Sequence, residues 1–388
     1  MPFAVYVLGL AVFAQGTSEF MLSGLVSDIA ADLHVSIPAA GSLTSAFAVG
    51  MVVGAPVMAA VGMRWSRRRA LLVFLTAFLV VHILGAVTTS FAVLVGTRVV
   101  AALANAGFLA VAVAAVTAMA DPGAKGRATS VLLGGVTLAC VAGVPGGALL
   151  GQVWGWRSAF WAVAVVSVPA LVAIVRSVPA RVGSRGGGVR GELRSLRRPR
   201  LLVTLLLGAL VNGATFCAFT YLAPLVTEVA GIGSVWVPAM LALFGAGSFL
   251  GVSVAGRIAD VRPVALLAVG GVVLLAGWAV FAVVAGDPVW TTVLVFVQGT
   301  VSFAVGSTLI SQVLYAAPEA PTMAGAFGTA AFNVGAAIGP WLGGLAIGAQ
   351  FGYRSPLWVS AVLVAFAFGV GRLASARARA ASAGATRR

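Results

Sequence analysis

The stretch FAQGTSEFML, residues 13–22, places a carboxylate, Glu19, inside an apolar run that starts near Ala4. The run is long enough to cross a bilayer, which takes roughly 20 residues of helix. A charge at that depth costs about 2.5–3.5 kcal/mol on insertion scales, so an acid there serves a function by default and faces the interior of a bundle. The other eight acids, Asp28, Asp32, Asp121, Glu192, Glu228, Asp260, Asp287 and Glu319, fall at helix ends or in loops.

The whole chain is built of such runs. Of its 388 residues, 61% are hydrophobic and only 9% charged, against about 25% charged in soluble domains. Apolar segments punctuated by polar residues, Gly and Pro predict twelve helices at 3–27, 39–62, 70–88, 91–119, 129–152, 157–176, 201–227, 235–258, 263–285, 289–315, 323–347 and 356–372. The fold class is therefore an all-α integral membrane protein. The net charge of +15 does not indicate nucleic acid, because no basic groove with interleaved aromatics is present. With a cytoplasmic N-terminus, 21 of the 24 basic residues lie in inner loops and tails, as the positive-inside rule requires. Only Arg157 and Arg354 are outside, and Arg98 alone is inside a span.

The chain repeats itself. GWRSAFW (155–161) returns as GYRSPLW (352–358), and GVPGG (143–147) is echoed in IGPWLGG (338–344). Duplication of a six-helix unit is the mark of a transporter with a central site between two bundles. The expected domains are an N-terminal six-helix bundle (1–176), a basic linker (177–200) lying near anionic lipid, a C-terminal six-helix bundle (201–375) and a basic tail (376–388). Both termini are expected in the cytoplasm.

Arg98 is the natural partner for Glu19. At 1.5 Å per residue, Glu19 lies about 13 Å and Arg98 about 10 Å in from the same surface, so the two can meet. Burial disfavours a carboxylate and a nearby cation favours it. Moving the pair apart and together would thus bind and release a proton. Polar and aromatic residues suited to a small amphipathic ligand are Gln15, Asn105, Asn212, Phe216, Phe219, Tyr221, Gln298 and Asn333. Amides also serve simply as interhelical glue. Gly143, Pro145 and Gly147 predict close approach and bending of the fifth helix. His82 reads as a satisfied interior histidine. Cys140 and Cys217 read as small buried hydrophobes. No metal-ligand spacing and no GxxxxGK[ST] loop occurs in the sequence. Two distant histidines and one buried acid do not make a catalytic cluster, so neither an enzyme, a metal site nor a cofactor is expected.

Three segments carry a family resemblance: the Arg67, Arg68, Arg69 cluster after the second helix, RVVAALANAG (98–107), and GVTLACVAGVPGGALLG (135–151). They resemble the major facilitator superfamily, specifically its twelve-span drug/proton antiporters with two pseudo-symmetric six-helix bundles. Residues 1–33, 44–60 and GALVNGATFCAFTYLAPLVTEVAG (208–231) are similar to actinobacterial chloramphenicol-resistance exporters. The resemblance implies a monomeric, proton-driven exporter of a small amphipathic drug in the bacterial inner membrane. It implies an acid in the first helix that couples protons and recognises drug, an antiporter motif at Gly143, Pro145 and Gly147, and a cytoplasmic latch at Arg67, Arg68, Asp260 and Arg262. One departure stands out. Met63 occupies the place where the family carries an Asp ahead of the Arg cluster, so the latch is expected to be one-sided. Export of sugars or other metabolites is the alternative, disfavoured because a sugar site needs more hydrogen-bonding groups.

Overall fold

Hydropathy sets the helices and the glycine and proline breaks end them. The structure, a computed structural model, describes residues 3–62, 65–119, 125–178, 199–258, 262–316 and 321–385. Among them, twelve helices are long and apolar enough to cross a membrane: α1 Phe3–Gly24, α2 Ile37–Ala55, α3 Arg67–Val87, α4 Phe91–Met119, α5 Val131–Trp154, α6 Arg157–Ser177, α7 Pro199–Thr220, α8 Ser234–Arg257, α9 Pro263–Val284, α10 Pro288–Val313, α11 Phe327–Gly348 and α12 Ser355–Ala374. No strand occurs among the described residues. Met63, Asp260, most of the linker and the last three residues of the tail lie outside the described residues.

Three spans are less regular than hydropathy alone predicts. In α1 the α-helix stops at Phe20, passes through a 3₁₀ turn at Met21–Gly24 and resumes as a short helix at Val26–Asp32. In α5 a π-turn occupies Ala139–Gly143, directly ahead of Pro145. Beyond α7 the chain turns at Tyr221 and then forms a π-turn at Leu225–Val229, just past Pro224. Proline has no N–H for the helix ladder, so the regular pattern gives way around it.

Burial divides the molecule into two bundles of six. One core draws only on residues of α1 to α6 and their connections, including Phe47, Phe78, Phe108 and Phe160. The other centres on α7 to α12, with Phe219, Phe244, Trp278 and Phe281, and borrows Val144 and Ala148 from α5. The bundles meet along two seams, α2 against α11 and α5 against α8.

The sequence repeat has a structural counterpart. Gly155 and Gly352 both take positive φ, +78° and +73°, a conformation open to glycine at little cost. The following arginines each tie a helix end: Arg157 Nη2 donates to the Thr88 carbonyl at 3.0 Å and Arg354 Nη1 to the Val283 carbonyl at 3.2 Å. Ser158 and Ser355 donate their hydroxyls to the Gly155 and Gly352 carbonyls, both at 2.7 Å.

On this same face of the molecule Arg157 pairs with Asp32 at 2.6 Å, and Trp156 Nε1 donates to the same carboxylate oxygen at 3.1 Å. The arginine holds the Asp32 carboxyl below its usual range. A depressed folded-state pKa contributes stability above the unfolded value, near 4, that is lost as pH falls through the folded value. The pair is partly exposed, so solvent screening limits it to about 1 kcal/mol or less. Asp32→Asn is expected to lower stability by that amount at pH 7. The difference from the parent should shrink below pH 4, which thermal unfolding at a series of pH values checks.

Candidate functional site

The break in α1 frames the site. Glu19 is the last residue but one of the regular helix, and its side chain is partly exposed in the middle of a span whose neighbours Thr17 and Ser18 are buried. Hydrocarbon does not stabilise such a carboxyl. It therefore faces the space between helices, with Asn105 and Arg98 of α4 as its polar neighbours.

Arg98 is buried, at 1% exposure. The depth argument brings it to Glu19, but the guanidinium engages the adjacent residue instead. Nη1 donates to Ser18 Oγ at 2.8 Å and Nη2 to the Ser18 carbonyl at 2.7 Å. The guanidinium also stacks over Phe47, 4.6 Å from the ring centre, with Phe160 at 5.9 Å. Among the described residues the one ion pair within 4.0 Å is Arg157–Asp32, so Glu19 and Arg98 are neighbours without a direct bridge.

Ser18 joins a third helix to this arrangement. His82 of α3 lies 2.6 Å from Ser18 Oγ through Nε2 and 2.7 Å from the Phe78 carbonyl through Nδ1. A carbonyl only accepts, so Nδ1 carries the hydrogen. In the neutral ring Nε2 then accepts from the Ser18 hydroxyl, whose oxygen accepts from Arg98. His82 is thus satisfied at both nitrogens, as the sequence predicts. The chain from Phe78 through His82 and Ser18 to Arg98 fixes α1, α3 and α4 around the acid. Ser18 carries no sequence signal for this role, because its partners are 64 and 80 residues away.

The π-turn of α5 completes the wall behind α1. A side chain on Gly143 would run into Thr17, and one on Gly147 would press on Met21. A side chain on Gly245 of α8 would strike the Cys140 carbonyl. Glycines of α5 and α8 thus bring α1, α5 and α8 close together where the bundles join. Pro145 is buried beside them.

Beside Phe20, the residue after Glu19, opens a cavity of about 290 Å³, lined also by Cys140, Thr215, Phe216, Phe219, Phe244, Gly245, Ser248 and Phe303. The lining crosses the junction of the bundles. Five phenylalanines form a continuous chain: Phe20–Phe216 at 5.6 Å between ring centres, Phe216–Phe219 at 6.2 Å, Phe219–Phe244 at 4.6 Å and Phe244–Phe303 at 6.2 Å. Composition reveals the aromatics. Only the fold selects which ones converge, and Phe20, Phe244, Phe303, Thr215 and Ser248 carry no motif.

The other expected residues separate. Gln15 is fully buried and its amide atoms have no protein partner. Asn105 donates to Met51 Sδ at 3.6 Å. Asn212 donates to the Phe332 carbonyl at 2.7 Å and Asn333 to Thr329 of its own helix at 3.0 Å, so both serve helix packing here. Tyr221 stands in a seam: its hydroxyl donates to the Pro340 carbonyl at 2.9 Å, and its ring fills the space beside Gly41, Gly343 and Gly344. Gln298 lies deeper in the C-terminal bundle, at 0% exposure. Arg67, Arg68 and Arg262 are at the opposite face of the molecule from the Asp32–Arg157 pair, and the ion pairs among the described residues do not include them.

Further contacts cross the bundle junction. Besides Tyr221, Ser45 Oγ donates to the Ala337 carbonyl at 2.7 Å, and side-chain bulk on Gly24 would meet Ala148 and Leu241.

Two six-helix bundles around an intramembrane acid are the architecture of a membrane carrier. A family model for the Major Facilitator Superfamily matches residues 8–331. The chain belongs to that superfamily, and it is a multi-pass membrane transporter rather than an enzyme. It is 56% identical over 371 residues to a chloramphenicol resistance protein of Streptomyces lividans, covering 95% of each chain. It is 32% identical over 351 residues, 90% of each chain, to the inner membrane transport protein YdhP of Escherichia coli strain K12. Its fold matches a crystal structure of a bacterial homologue of the human lysosomal transporter Spinster in an inward-facing, occupied conformation, with TM-score 0.79 over 96% of each chain at 17% identity.

Removing the Ser18 hydroxyl leaves Arg98 Nη1 and His82 Nε2 buried without their partner. Ser18→Ala is therefore expected to destabilise the N-terminal bundle by about 1–3 kcal/mol. The check is a lowered unfolding temperature of the detergent-purified protein, with Ser360→Ala, a buried hydroxyl that donates to carbonyls, as the milder comparison.

Proposed function

We propose that this transporter exports chloramphenicol or a closely related uncharged aryl drug from the cytoplasm, in exchange for protons. The observation that carries the reading is the 56% identity, over 95% of both chains, to a chloramphenicol resistance protein. The aromatic cavity supports it, because phenylalanine faces suit an aryl ring. The sparse hydrogen-bonding lining argues against a sugar.

Glu19 is the proton-coupling acid. Its sequence neighbour Phe20 lines the cavity, so bound drug lies close to the acid. Drug entering from the cytoplasm or the inner leaflet displaces the proton from Glu19. Closure of the seams at the cytoplasmic face and opening at the other then carries the drug out, and the acid is reprotonated there. Arg98, held on the backbone of Ser18, supplies a positive potential beside the carboxylate without neutralising it outright. A shift of α1 against α4 changes that separation and with it the proton affinity.

The Asp32 face is the outer one, which puts both termini and the Arg67 cluster in the cytoplasm of a bacterial cell. The distribution of basic residues supports that orientation. Phe216 and Phe219 contact drug; Gln15 and Asn105 support Glu19; Arg67, Arg68, Asp260 and Arg262 latch the cytoplasmic ends; Gly143, Pro145 and Gly147 form the bend on which α5 moves. The transporter acts as a monomer, without a cofactor, on the proton gradient.

Glu19→Gln keeps the size and hydrogen bonding of the side chain but not its titration. Cells lacking other pumps should accumulate little labelled chloramphenicol with the parent protein, and more after an uncoupler. With Glu19→Gln, accumulation should match empty cells at normal protein levels. Parent-like export by the variant would remove Glu19 from the mechanism.

A further inference from the structure

Behind the aromatic wall lies a second cavity, of about 240 Å³, wholly within the C-terminal bundle. Its lining includes Trp278, Phe281, Gln298 and Leu357, and it shares Phe219 and Phe244 with the first. Those two rings stack with centres 4.6 Å apart and planes 28° apart, and they stand between the chambers.

Two residues of this lining each carry a polar atom with no hydrogen-bond partner in the protein. Gln298 Oε1 and Trp278 Nε1 are both buried and unbonded, although Gln298 Nε2 donates to the Leu274 carbonyl at 3.3 Å. The residues themselves are 0% and 1% exposed. Leaving a buried polar group unsatisfied is costly, so a carrier that keeps an acceptor and a donor idle at one cavity has a use for them. Every described Asp, Glu and Arg of the C-terminal half lies in a terminal turn of a span or outside it. The chamber is therefore free of charge.

The two cavities adjoin through their shared residues Phe219 and Phe244.

We infer that the stacked Phe219–Phe244 pair is a partition in the drug site, and that the chamber behind it binds the uncharged polar end of an aryl amphiphile through Gln298 and Trp278. A hydroxyl meets both needs, accepting from the indole N–H and donating to the amide oxygen. The inference rests on the export reading above and adds the part of the site that selects neutral over charged drugs. Proton handling stays in the N-terminal bundle with Glu19, and polar drug recognition sits in the C-terminal one.

The test is equilibrium binding of labelled chloramphenicol to the purified full-length protein, followed also by tryptophan emission, which a bound nitrophenyl group quenches. Of the nine tryptophans, Trp278 is the one that lines either cavity. Gln298→Leu is expected to weaken binding about tenfold, the loss typical of one buried hydrogen bond. Trp278→Phe is expected to abolish most of the saturable quenching. Unfolding temperatures identify either variant that fails to fold, and the other then decides. Folded variants that bind and quench like the parent overturn the second chamber while leaving export intact. A parent protein that neither binds nor is quenched overturns the export reading and the chamber with it.

Discussion

Everything near the site depends on how Arg98 is held. A guanidinium in the membrane interior needs donors satisfied and charge spread, and Ser18 supplies two acceptors at one residue of α1. Phe47 and Phe160 add aromatic faces. His82 fixes the Ser18 hydroxyl from α3. Three helices are thereby pinned around the residue that precedes Glu19, and the acid itself is left free of a salt bridge. A carboxyl locked to an arginine at hydrogen-bond distance would be a structural ion pair. One beside an anchored arginine keeps its proton affinity open to adjustment by small helix movements.

The same need to satisfy polar groups without water shapes the rest. Hydroxyls of Ser45, Tyr221 and Ser360 go to carbonyls of neighbouring helices. Close approach of backbones, set by glycines in α5, α8 and α11, replaces the hydrophobic drive that lipid does not provide.

Much of this was legible in the sequence. Twelve hydropathic runs and the Arg distribution define the spans, and the GWRSAFW and GYRSPLW repeat corresponds to two turns with the same glycine conformation and the same arginine-to-carbonyl tie. Glu19 and Arg98 stand out because charge inside a span is expensive. What escapes the sequence is convergence. Ser18 and His82 look ordinary until α1 and α3 are packed, the 3₁₀ turn after Phe20 has no proline to announce it, and Tyr221 reads as a ligand contact although it fills a seam between glycines. Phe20, Phe244 and Phe303 are three of the chain's 21 phenylalanines, and only helix packing distinguishes them from the rest.

The central claim is that drug and proton exchange at Glu19. The most direct measurement is drug-driven proton movement in proteoliposomes containing the purified protein and a pH-sensitive dye. An outward chloramphenicol gradient should drive protons inward with the parent protein and not with Glu19→Gln, while both variants still bind the drug. Proton flux that persists in Glu19→Gln, or drug flux in the parent without any proton movement, would contradict the account.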